Sequence, residues 1–144
     1  MDRIARGAVS GLLATVPMTV VFLAGRRLLH PTRSVPPERI TQESGLADDP
    51  SRTRFRAKWL GLHLVYGGLL GIGYLWLRPL LPAEPNRAGL AYGEAVWGLH
   101  YLGLMPLLRL YPSPPDDSQA RTAVNITAHA VYGLALSQAE RILD

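Results

Sequence analysis

The sequence predicts an all-α fold, a four-helix transmembrane bundle running up-down-up-down with a short extra helix in the first loop. Three observations predict it. Four stretches of the 144-residue chain are nearly free of charge, and each approaches the roughly 20 apolar residues that a bilayer crossing needs. Arg, Lys or Glu brackets every one of them. No polar linker divides the hydrophobic pattern, so residues 1–144 are read as one domain of ordinary size.

The first span is Gly7–Gly25, preceded by Arg3 and Arg6 and ended by Arg26 and Arg27. It resembles a secretory signal, but its apolar run exceeds the roughly 7–15 residues of a signal core, so it is read as a retained helix. In the first loop, Pro36-Pro37-Glu38-Arg39-Ile40-Thr41 opens like a short helix with proline in its first turn, and Gly45 is placed to close it. Beyond Asp48-Asp49-Pro50 come Arg52, Arg54, Arg56 and Lys58, either an attraction for anionic headgroups or a solvated flank that fixes topology. The second span, Trp59–Leu77, has no charge between Lys58 and Arg78, and Trp59 and Trp76 sit near its ends as interfacial anchors do. The third, Ala88–Leu108, lies between Arg87 and Arg109. The fourth, Thr122–Ala139, is the least apolar, carrying Asn125, Thr127, His129, Ser137 and Gln138. That span and a mean hydropathy of +0.10 keep a soluble helical bundle as a rival. The uncharged second span weighs against it, because a soluble helix carries a charged face along its length. Pro17 and Pro106 each remove a backbone hydrogen bond, and kinks are expected at both.

Small residues one turn apart let helices approach closely in lipid. Gly7 with Gly11, Gly67 with Gly71 and Gly89 with Gly93 provide three such faces, suited to a compact bundle, self-association or another membrane protein. The absence of cysteine excludes disulfides, thiolate metal sites and a cysteine nucleophile. The formal charge of +4 does not point to nucleic acid, because the arginines flank the apolar stretches; the expected partner is the lipid bilayer. With no phosphate-binding glycine loop, nucleophile elbow or metalloprotease helix, the chain is not read as an enzyme, and no cofactor is assigned.

One polar layer stands out. His63-Leu64-Val65-Tyr66-Gly67 reappears as His129-Ala130-Val131-Tyr132-Gly133, through duplication of a two-helix unit or through similar packing demands. Measured by helical rise from the first-loop side, His63 lies about 6 Å beyond Trp59, His129 about 10 Å beyond Thr122 and His100 about 12 Å before Leu108. His30 trails the first span on that side. Neutral imidazoles facing one another could bind a transition metal or haem iron, or relay protons. Alternatively each bonds a neighbouring carbonyl, tyrosine or Asn125 and holds the bundle together. Glu94 is the charged residue well inside a span, hence a functional candidate. It points about 120° away from His100 and lines up better with Gly98 and Tyr101.

The order of His63 with Gly73-Tyr74, of His100 and Pro106 leading into Tyr111-Pro112-Ser113-Pro114-Pro115, and of His129 with Glu140-Arg141 resembles the YagU family of bacterial inner-membrane proteins. The likeness covers roughly residues 59–142, and Gly11, Thr15, Pro17-Met18-Thr19 and Pro36-Pro37 also look like related small membrane proteins. It implies a multi-pass protein of the inner membrane, without an assigned activity and without catalytic residues. Of the 15 Lys and Arg, five lie on the side of the termini and ten on the other, which predicts termini outside and the long loop in the cytoplasm. Two functions remain open, a structural or accessory membrane component and a small module whose histidine layer binds a metal or haem or responds to protons.

Overall fold

Helix α1 (Arg3–Leu29) extends the first predicted span at both ends and runs unbroken through Pro17. The structure, a computed structural model, describes residues 1–29, 35–46, 51–111 and 117–144, and the described residues form helices and turns with no strand. His30, Arg33, Asp48-Asp49-Pro50 and Pro112-Ser113-Pro114-Pro115, used in the sequence reading, lie outside them.

The short helix of the first loop is α2 (Pro36–Glu43), with extended Val35 before it and proline in its first turn, where no backbone donor is needed. Gly45, at φ 68°, ends it in the left-handed region that glycine enters freely. Helix α3 (Arg52–Leu77) begins a full seven residues before the predicted second span. The basic lead-in is therefore helical, and the Ser51 hydroxyl caps it by accepting from the Arg54 N–H. Pro79 sits in the 3₁₀ turn Arg78–Leu80 that ends the stretch.

The Glu84 carboxylate caps α4 (Pro85–Trp97), accepting from the N–H groups of Asn86 and Arg87 at 2.9 and 2.7 Å. The third predicted span is not one regular helix. After Trp97 the backbone widens into a π-helical stretch, Gly98–Leu104, before the short α5 (Met105–Leu107). Pro106 has no N–H to return to the preceding turn, and a wider turn is one way the backbone accommodates that loss. Helix α6 (Gln119–Leu143) is capped by the Ser118 hydroxyl.

Contacts fix the topology. Gly7 and Gly11 meet Gly71 and Gly67, Arg6 pairs with Glu140 and Asp144 while Gly25 abuts Val124, and Gly89 and Gly93 meet Ser137, Gly133 and His129. Each of the pairs α1–α3, α1–α6 and α4–α6 is thus antiparallel, and the helices lie in the order α3, α1, α6, α4. A Cβ on Gly11, Gly71, Gly89, Gly93 or Gly133 would strike a facing backbone carbonyl, and one on Gly67 would strike the Thr15 hydroxyl. All six predicted packing glycines are therefore used between helices of this chain.

The short repeat is more extensive in three dimensions. Laying His63–Gly67 on His129–Gly133 sets Gly71 opposite Ser137, and α1 meets α3 through glycines as α4 meets α6. Laying Gly7–Gly11 on Gly89–Gly93 sets Ser10 opposite Tyr92 and Ala14 opposite Val96. Fully buried Ser10 and Ala14 share a stripe of α1 with Arg6 and Phe22, which touch α6, and this seam is closed. In the equivalent seam α3 and α4 barely approach through their backbones, although they are consecutive. Bulkier Tyr92 and Val96 stand where α1 has Ser10 and Ala14, and Tyr92 reaches across to α3, its ring against Tyr74 and its hydroxyl on the Leu70 carbonyl at 2.6 Å.

Two helical stretches, Arg3–Leu28 and Arg52–Leu80, are long and apolar enough to cross a membrane. Their most apolar windows are only 39% and 28% buried, where the core helix of a soluble protein would be mostly covered. One predicted anchor is displaced. Trp76 is exposed under the Arg3 guanidinium, but Trp59 is 3% exposed and belongs to the buried core, as does Val35 at the start of α2, which packs on α3.

Candidate functional site

The half-open seam encloses a cavity of about 330 Å³ in the half of the bundle nearest the first loop. Its walls are mostly apolar, and His63, His100 and His129 all line it. Gly67, Leu70 and Tyr132 form its inner end, and α2 covers its outer end through Pro37, Ile40 and Thr41. The ion pair of Arg26 with Glu38, at 2.9 Å, ties that cover to α1.

The bonds of each ring determine which nitrogen carries its proton, because a carbonyl can only accept. His129 Nδ1 lies 2.8 Å from the Asn125 carbonyl and His100 Nδ1 lies 2.7 Å from the Val96 carbonyl, so both carry hydrogen at Nδ1. The Thr19 hydroxyl gives its proton to the Thr15 carbonyl at 2.8 Å, so toward His63 it accepts from Nδ1 at 3.2 Å. Every Nε2 is then an acceptor. That of His100 receives the Tyr66 hydroxyl across the seam, whereas those of His63 and His129 have no hydrogen-bond partner among the described residues. The Phe22 ring packs against both of these imidazoles, 6.2 and 6.3 Å from their centroids.

Asn125 is 4% exposed and lines the same cavity, and its Oδ1 is buried without a hydrogen bond among the described residues. Tyr132 is committed elsewhere, donating to the Gly67 carbonyl at 2.8 Å. At the outer rim, Tyr101 donates to Asp117 at 2.9 Å, and Asp117 pairs with Arg121. Burial, with Asp117 adding negative charge nearby, pushes the Tyr111 hydroxyl up to about 12. The Arg39 guanidinium covers the Tyr111 ring at 5.6 Å.

The predicted layer thus divides. His63, His100, His129, Tyr66 and Tyr132 come together, while Glu94 does not line the cavity and makes no ion pair or hydrogen bond among the described residues. Its expected neighbour Tyr101 turns instead to Asp117 and Thr122, because the π-helical stretch changes the angle per residue. Among the described residues no three His, Asp or Glu side chains are grouped to hold a metal ion. Sequence reasoning missed Phe22, Tyr92 and the cover provided by α2. The apolar face that Pro37 and Ile40 give this short polar helix was the available signal for the last.

No curated protein and no solved structure matches the chain. Its whole length, residues 1–144, matches one family, and the chain belongs to that family of unknown function, DUF6789.

Proposed function

We propose that this is a multi-pass protein of the bacterial inner membrane, crossed by all four long helical stretches, and that it binds a small membrane-soluble molecule without transforming it. The cavity between α3 and α4 carries the binding part, because a mostly apolar space of about 330 Å³ holding several convergent polar atoms is what a small-molecule site offers. The outward surface supports the membrane part. Leu13 and Val20, Val65 and Leu69, Leu99 and Leu102, and Leu134 are exposed on the four stretches. In water a soluble monomer rarely shows contiguous apolar patches beyond roughly 300–600 Å². The likeness to the YagU family agrees with the location and adds no residue roles.

An accessory-subunit role fits less well, since the glycine faces that would serve a partner helix are occupied within the chain. The metal reading has no ligand group among the described residues to support it.

The test uses Trp97, which lines the cavity, as sole tryptophan after Trp59→Phe and Trp76→Phe. In lipid nanodiscs a brominated alkylbenzene should quench it saturably, and Val96→Phe should weaken that quenching. Quenching that only rises linearly, as partition into lipid does, would sink the binding reading. Release of the protein from membranes by carbonate would sink the membrane reading.

A further inference from the structure

We infer that the cavity selects an uncharged, hydroxyl-headed amphiphile, such as an alkyl phenol or alcohol, with its head at His63, His129 and Asn125 and its tail in the seam between α3 and α4. The inference rests on the binding reading above and names its ligand class.

Unpartnered polar atoms of His63, His129 and Asn125 define the head, while two further lining groups without a partner among the described residues, Trp97 Nε1 and the Tyr111 hydroxyl, stand elsewhere in the wall. His63 and His129 present Nε2 lone pairs, and both Nδ1 protons are already committed to Thr19 and the Asn125 backbone. The Asn125 amide has an acceptor without a partner, and its NH₂ makes no hydrogen bond to the described residues. A hydroxyl is the smallest group that can do both things at once, donating its single proton to one imidazole Nε2 while accepting from the amide NH₂. A ketone or ether cannot donate, and it would leave both imidazole lone pairs dry. Among the described residues no Asp, Glu, Lys or Arg lines the space, so a formal charge on the head would lack a counter-ion there in a medium where that is costly.

Size and shape define the rest. An apolar cavity of about 150 Å³ takes one benzene, so about 330 Å³ accommodates a ring or short branched head with several further carbons. A longer tail must leave, and the seam is the route into lipid. Tyr66, half-exposed on α3, closes it through a hydrogen bond and an edge-to-face ring contact with His100, which sits in the π-helical stretch.

The probes are para-hexylphenol, its methyl ether para-hexylanisole, and hexylbenzene, each titrated into the full chain in nanodiscs, with nitrogen NMR reading the imidazoles. The phenol should bind about three- to tenfold tighter than the ether, the range expected for one net hydrogen bond. It should also move the Nε2 resonance of His63 or His129. The double variant His63→Phe, His129→Phe should lose that preference and still bind hexylbenzene, with helicity by circular dichroism reporting its fold. Asn125→Leu, milder in volume, should reduce the preference if the double variant does not fold. Equal binding of phenol and ether with unmoved imidazoles would overturn the hydroxyl inference and leave the lipophile-binding reading standing. Failure of all three probes to saturate would overturn both.

Discussion

Asn125 is the residue whose substitution best separates stability from function. A buried amide oxygen without a partner costs about 1–3 kcal/mol, and Asn125 Oδ1 is in that position. Asn125→Leu should therefore raise stability, by about 1 kcal/mol in denaturant unfolding, while weakening the hydroxyl preference. Tyr66→Phe works the other way. It deletes the donor to His100 Nε2, and should cost about 0.5–1.5 kcal/mol and speed probe release in stopped-flow quenching. Glu84, at the exposed start of α4, carries a pH dependence. Its bonds from the Asn86 and Arg87 N–H groups hold the carboxyl below its ordinary value. The cap's contribution is then complete above the unfolded carboxylate range near pH 4.3 and fades as pH falls through the lower folded value. A Glu84→Gln variant should be less stable than the parent at neutral pH and converge with it in acid, as thermal unfolding across pH would show. At this scale much was legible. Counting helical rise brings three imidazoles to one level because rise is a local property. The Phe22 ring against two of them was not, since it depends on how α1 lies against both α3 and α6.

Among the helical elements, glycine has opposite values at different sites. Gly61 has open space where a Cβ would stand, so Gly61→Ala should stabilise α3 by about 0.5–1 kcal/mol. Gly133→Ala drives a methyl into the Gly89 carbonyl, and should cost at least the roughly 1–3 kcal/mol typical of overpacking. Chemical unfolding of the two variants side by side checks the contrast. Four long stretches and the short α2 were readable from charge-free runs and from Pro36 and Gly45, which mark helix ends by simple stereochemistry. The π-helical stretch was not readable, because hydropathy spacing over Gly98–Leu104 does not reveal a wider turn. Trp59 shows the same limit. A tryptophan at a span's edge stays exposed unless another element covers it, and here Trp59 is buried on a helix against which α2 packs.

For the whole molecule, the absence of cysteine makes single-cysteine mapping clean. Cysteine in place of Leu13, Leu69, Leu102 or Leu134, all exposed on the outer surface, should resist a water-soluble maleimide in sealed vesicles because lipid covers them. Leu46→Cys and Ile142→Cys should react from opposite sides, the first from the cytoplasm. Reaction of all six at similar rates would mean that water surrounds the bundle. The seams carry a longer consequence. Two like hairpins joined along one edge leave a second, equivalent edge, which stays unzipped where Tyr92 and Val96 replace the small residues of the first. Such a chain can be retailored at one joint while the other goes on holding the halves together. Trimming Tyr92 to serine and Val96 to alanine should let the loose edge close and erase the chamber, whereas other residues at those two places would recut it for a differently shaped guest.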